Sequence, residues 1–274
     1  MTELPLQTRV ETTTPAYKIT PSDRLLFVGS CFADNIGRRF TDWQFRTVAN
    51  PYGVMYNPAS ILHSVRRWTE ALPSCHEIAD IAVFTLGTSH VYILNETGEI
   101  VDNCQKRPQR LFTERILCIE ECVDFLSAAI DTLKQKNEEI KVILTVSPIR
   151  YAKYGFHASQ LSKATLLLAA EEITRRYGCA SYFPAYEIVN DELRDYRFYK
   201  SDMIHPSDQA VDYIFGRFCD SYMAAESYQF MEEWKPIQQA LAHRPFNPEA
   251  EEYKKFIAEA RNKEKQFRAK WLCR

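Results

Sequence analysis

Glycine is scarce in this chain, with only 8 among 274 residues, and none of them form Gly-x-Gly-x-x-Gly or a phosphate loop closing in Gly-Lys-Ser/Thr. Both common nucleotide-cradling signatures are therefore absent. Eight cysteines stand at 31, 75, 104, 118, 122, 179, 219 and 273 with no Cys-x-x-Cys pair. That spacing argues against a zinc cluster and for reduced thiols, so no metal is expected. No apolar run approaches the roughly 20 residues needed to cross a bilayer. The N-terminus, Met1-Thr2-Glu3-Leu4-Pro5, lacks the basic-then-apolar order of a signal peptide. Neither sign of charge dominates: the net charge is −2, which gives no electrostatic reason to expect nucleic acid or an anionic membrane as partner. A cytoplasmic chain with no organic cofactor is the expectation.

What is present is ordinary globular composition, 46% hydrophobic and 26% charged. Five short apolar runs read as strands: Leu25 to Val28, Phe45 to Val48, Ile81 to Leu86, Val142 to Val146 and Ala180 to Phe183. Most lack period-two alternation, as strands covered on both faces do. Helical patterns lie between them. Phe32, Ile36 and Phe40 are spaced by four, as are Ile61 and Val65. Cys122, Phe125, Leu126, Ala129 and Leu133 form one stripe, and Leu161, Leu168 and Ile173 another, stopping at Tyr177-Gly178. Strand–helix alternation predicts a parallel sheet between helices. After the third strand, Val91 to Asn95, Glu96-Thr97-Gly98 and Glu99 to Asp102 read as a β-hairpin insertion. It is either a surface flap or a cover for substrate. Beyond residue 226 the chain becomes helical and charged, with Tyr253, Ile257, Ala260, Phe267 and Trp271 roughly on one face. The expected organisation is residues 1–225 as a catalytic domain. Residues 226–274 form a helical extension, packed on that domain or used in a homodimer contact.

Two segments carry chemistry. The first strand ends in Gly29-Ser30-Cys31, and far downstream Asp202-Met203-Ile204-His205 places an acid and an imidazole three residues apart. A serine hydroxyl needs a base within reach and a carboxylate to orient that base. Ser30 as nucleophile, His205 as general base and Asp202 as its orienting acid is the leading assignment. The plainer alternatives are that Ser30 only caps a helix and that Asp202-x-x-His205 is a local turn. Cys31 is a rival nucleophile, since a thiol at a helix N-terminus is activated. Adjacent side chains at such a corner diverge, so only one can face the crevice, and Ser30 is preferred. Pro206 keeps His205 out of the helix that Ser207 is placed to cap. His90 and His157 line a pocket or lie on the surface. Arg150, after the fourth strand, is placed to hold a carboxylate or sugar hydroxyl, or to make a structural pair.

Gly29-Ser30-Cys31-Phe32-Ala33 spells the signature of the GSCFA family, which is similar to SGNH (GDSL-like) hydrolases. The resemblance continues through Asn50-Pro51-Tyr52-Gly53, Tyr56-Asn57-Pro58, Thr85-Leu86-Gly87-Thr88 and Val146-Ser147-Pro148-Ile149-Arg150. Further blocks are Leu161-Ser162-Lys163-Ala164-Thr165, Tyr182 to Glu187, Asp191 to Tyr199 and Asp202 to Pro206, so that most of residues 20 to 225 is covered. It implies an α/β/α three-layer sandwich, flavodoxin-like, with strand order 2-1-3-4-5 and a Ser30, Asp202, His205 triad. It also implies an oxyanion hole from the Ser30 amide, Gly53 and a third donor. Ser89 stands where SGNH enzymes have asparagine in Gly-x-Asn-Asp, and Asn103, after the hairpin, is the substitute; Gln105 stands where the family often has histidine. The activity implied is a serine esterase removing an O-acetyl or short acyl group from a saccharide. An O-acyltransferase using the same triad and a non-catalytic carbohydrate-binding protein are the alternatives.

Overall fold

The computed structural model describes residues 8–73, 77–247 and 249–272. Cys75 and Cys273 fall outside them. Five parallel strands form the central sheet: β1 (Arg24–Gly29), β2 (Arg46–Ala49), β3 (Ile81–Leu86), β7 (Lys141–Val146) and β8 (Ala180–Tyr182). Their order, β2-β1-β3-β7-β8, is the doubly wound arrangement with the chain reversing direction beside β1. In such sheets the crevice at the carboxyl ends of the strands is where ligands bind.

The apolar runs work on both faces. Leu25 and Phe27 of β1 join one core cluster with α1 (Cys31–Asp42) and α6 (Asp208–Tyr222), whereas Leu26 and Val28 join a second cluster. That second layer is built by α2 (Pro58–Ala71), α3 (Ile119–Lys134) and α4 (Phe156–Arg176). The architecture is the three-layer α/β/α sandwich, and the continuous apolar strands follow from having helices on each side.

The expected stripe on α4 is corrected by the structure. Leu161 and Leu168 are exposed, and the inward face carries Ser159, Ser162, Lys163, Leu166, Ala169, Ala170 and Ile173. The hairpin is also larger than the sequence suggested. β4 (His90–Leu94) pairs not only with the short β5 (Ile100–Val101) but with β6 (Phe112–Ile116), in an antiparallel order β5-β4-β6. β6 escaped notice because Phe-Thr-Glu-Arg-Ile lies mostly open to solvent and has no apolar run.

After α6, α7 (Ala225–Ala242) and α8 (Glu251–Trp271) fold back against α1 and β2. Phe267 of α8 packs at a tilt and Trp271 edge-on against Phe230 of α7, and the Trp234 indole donates to the Asp42 carbonyl at the end of α1. Arg46 of β2 reaches the Leu272 carbonyl. Among the described residues, no helix is long and apolar enough to cross a membrane.

Candidate active site

The corner between β1 and α1 is set by Gly29. Its φ is +145°, and a Cβ there would sit 2.2 Å from the Thr85 carbonyl oxygen, so only glycine fits. This close approach lets the Ser30 amide donate to the Thr85 carbonyl at 3.0 Å. Asn50, with φ +41°, clamps the corner from β2: its Oδ1 accepts the Gly29 amide at 2.8 Å and its Nδ2 donates to Asp34 Oδ1 at 2.8 Å.

Ser30 is 0% exposed. Its Oγ accepts the Phe32 amide at 3.2 Å, as the N-cap of α1, and shares a hydrogen bond with Thr85 Oγ1 at 3.1 Å. The hydroxyl expected to attack substrate is thus sealed beneath the corner and already hydrogen-bonded, the local use that serine fills well. Its amide, expected as the first oxyanion donor, is taken by β3.

Cys31 occupies the first helical position and is half-buried. Burial raises the pKa of its thiol above the ordinary cysteine value; the neighbouring Tyr56 phenol offsets part of that rise and Asp34 adds to it. The Cys31 amide donates to no other residue among those described; its effect is on its own sulfur, which it pulls down.

Asp202 and His205 lie in a tight loop ahead of α6. The antiparallel bridge between Tyr199 and Pro206, and the Lys200 amide donating to the His205 carbonyl at 2.7 Å, close its base. Asp202 Oδ1 accepts the amides of Ile204 at 2.8 Å and His205 at 3.0 Å, and Oδ2 accepts from His205 Nδ1 at 2.7 Å. The His205 amide, the Ile204 amide and the imidazole together hold the carboxyl down to about 2. With Nδ1 bonded to a carboxylate, Nδ1 carries the proton and Nε2 is left as the basic nitrogen. Nε2 makes no hydrogen bond among the described residues. Ser207 caps α6 through the Ala210 amide.

The two segments approach one another. Arg39 folds back on α1 to the Asn35 carbonyl and also reaches the Asp208 carbonyl at 3.3 Å and Asp212 at 2.7 Å, tying the start of α6 beside α1. Cys31 and Ile204 pack against the same apolar cluster. No hydrogen bond joins His205 to Ser30 or Cys31 among the described residues; contacts of this kind are commonly long before substrate binds.

The remaining expected site residues are placed otherwise. Gly53, at φ +90°, spends its amide on the Asn50 carbonyl at 2.8 Å, closing a turn. Ser89 is fully buried, its amide and hydroxyl both donating to Ser162 Oγ at 2.8 and 3.1 Å. Neither is a free oxyanion donor. Asn103 is exposed beyond the hairpin, its Oδ1 turned to the Gln105 amide at 2.7 Å. Arg150 braces the loop that carries Asp202 and His205: its amide donates to the Ile204 carbonyl at 3.1 Å and its Nη1 to the Met203 carbonyl at 3.0 Å. His157 is exposed. His90 is buried, its Nδ1 3.2 Å from Glu114 and its ring stacked 3.8 Å from Tyr154; burial lowers its pKa.

Lys163 also belongs to this region. Fully buried on α4, its ammonium donates to the carbonyls of Gly87 and Ser147, each at 2.7 Å, at the ends of β3 and β7. The available signal was a lysine set on the inward, small-residue face of a helix. Alongside, Arg150, Gln160, Tyr186, Asn190, Tyr196 and Tyr199 line a cleft of about 560 Å³. It shares Arg150 and Tyr199 with the frame of the His205 loop. Among the described residues, no three or more His, Cys, Asp or Glu side chains are grouped to hold a metal.

The GSCFA family model matches residues 24–77 and 69–218, and the model for the C-terminal domain of GSCFA proteins matches 234–272. The chain belongs to the GSCFA family. No curated protein matches it by sequence. Among solved structures, a Bacteroides fragilis protein described as an acylhydrolase is similar at 13% identity and TM-score 0.49, over 78% of this chain and 91% of its own. A psychrotrophic esterase from a Pseudoalteromonas species is similar at 14% and 0.43, over 73% and 96%. A carbohydrate esterase of family 3 from Talaromyces cellulolyticus is similar at 10% and 0.41, over 77% and 99%.

Proposed function

We propose that this GSCFA protein hydrolyses small acyl esters, an O-acetyl or short acyl group on a saccharide, through a covalent acyl-enzyme formed at the β1–α1 corner. The observation that carries the reading is the Asp202–His205 pair. One carboxylate oxygen is fixed by two backbone amides and the other orients the imidazole, leaving Nε2 basic at the carboxyl-end crevice. His205 takes the proton of the attacking group at the corner and then gives it to the departing alcohol; water repeats the cycle to release the acid. The cleft lined by tyrosines, Arg150, Asn190 and Gln160 offers flat apolar faces with hydrogen-bonding groups between them, a suitable lining for the alcohol portion of a sugar ester. No metal or organic cofactor enters this chemistry.

The test is hydrolysis of p-nitrophenyl acetate and of an O-acetylated saccharide by wild type and His205→Ala. Removal of the base is expected to lower turnover by about 10²–10⁴-fold. Unchanged hydrolysis in His205→Ala would refute the reading.

A further inference from the structure

We propose that the thiol of Cys31, rather than the hydroxyl of Ser30, is the attacking group; this rests on the acyl-transfer reading above. Ser30 Oγ is enclosed, caps α1 and is bonded to Thr85 Oγ1. For that oxygen to attack, the helix cap would have to be broken and the corner opened. Cys31 is the next residue and is half-buried rather than enclosed. Beside it stands Tyr56, itself 40% exposed, whose ring meets Tyr151 edge-on with centroids 6.1 Å apart. Tyr151 belongs to the loop in which Arg150 holds the Met203 and Ile204 carbonyls. Tyr56 and Tyr151 therefore link the sulfur to the loop that also supports His205.

The backbone agrees with this choice. Of the first amides around α1, that of Ser30 is given to Thr85, that of Phe32 to Ser30 Oγ and that of Ala33 to the Ser30 carbonyl at 2.8 Å. Among the described residues, the Cys31 amide alone of these four binds no other residue and meets only its own sulfur, at a helix N-terminus where a developing oxyanion would be received. Ser30 thus holds the helix start, and Cys31 presents both sulfur and amide. Among the described thiols, Cys122 and Cys219 are by contrast buried within the two cores.

The step balances. The Cys31 proton passes to His205 Nε2 as Sγ bonds to the acyl carbon. The tetrahedral adduct then collapses, breaking the carbon–oxygen bond, and the imidazolium gives its proton to the leaving alkoxide. Water attacks the resulting thioester, its proton passing through His205 to the departing sulfur, and the carboxylic acid leaves.

The experiment traps the acyl-enzyme from a p-nitrophenyl ester by acid quench and maps it by peptide mass spectrometry, with neutral hydroxylamine as the chemical probe. It uses the full chain, in a Cys104→Ala, Cys118→Ala background that removes two other accessible thiols. The expected adduct lies on Cys31, is released by neutral hydroxylamine as thioesters are, and fails to accumulate in His205→Ala. Iodoacetamide on the folded protein should modify Cys31 and abolish turnover, a readout independent of whether a variant folds. Cys31→Ala should fall by about 10³-fold or more. An adduct on Ser30 that resists neutral hydroxylamine overturns the cysteine assignment while leaving the acyl-transfer reading intact. So does full activity after Cys31 alkylation, provided that His205→Ala is inactive. Full activity in His205→Ala overturns both.

Discussion

One oxygen of Asp202 lies 2.7 Å from His205 Nδ1, while the other accepts the amides of Ile204 and His205 itself. The carboxylate is fixed by the backbone of the residues it orients, so acid and base move as one unit.

That relationship sets the first prediction. Asp202→Asn should lower ester hydrolysis by about 10²–10⁴-fold, because an amide cannot hold Nδ1–H with the same strength or choice of tautomer. Thermal unfolding should change little, since solvent screens an exposed ion pair. A variant that keeps wild-type turnover while folding normally would separate Asp202 from catalysis.

The same carboxyl, held down to about 2 from 3.8, gives a pH prediction. A depressed carboxylate contributes stability that is present above its unfolded value and is lost as pH falls through the folded one. Asp202 therefore stays ionised below the ordinary carboxylate range, down to a pH of about 2. Carboxyl-carbon NMR of Asp202 should show its titration near 2; a midpoint near 4 would contradict the amide cradle.

Ser30→Ala removes the cap of α1 and is expected to cost about 0.5–2 kcal/mol in unfolding free energy, read from urea midpoints. An unchanged midpoint would mean that the Phe32 amide finds another acceptor.

Lys163→Met leaves two buried strand-end carbonyls, those of Gly87 and Ser147, without their donor. Each such group costs about 1–3 kcal/mol. Burial lowers the lysine from 10.5 to about 7. Between those values the unfolded chain holds a proton that the folded chain releases. Wild-type stability should therefore gain a rising contribution as pH goes from about 7 towards 10, flat below 7. Urea midpoints across that range should show the rise in wild type and its loss in Lys163→Met.

At the opposite end of the chain, Trp271→Ala removes a ring packed on Phe230 whose indole donates to Glu233 at 2.9 Å. A cost of about 3–5 kcal/mol is expected for so large a core truncation. A cost below 1 kcal/mol would show that α8 is loosely held.

The sequence by itself determined what depends on neighbours along the chain. β1, β3 and β7 are buried on both faces and therefore apolar without alternation, so those strands could be read directly. Asp202-x-x-His205 and the Ser207 cap are contacts within three residues and needed no tertiary knowledge. Only the tertiary structure decided which side of the β1–α1 corner is sealed. That depends on Thr85, 55 residues away, whose carbonyl and hydroxyl meet Ser30 because β1 and β3 pair in that register. The same holds for Ser89, claimed by Ser162 from α4, and for Lys163, buried because two strand ends converge on its ammonium. Side chains of equal chemical promise differ in exposure and spare hydrogen-bonding capacity, and those are properties of the packed chain.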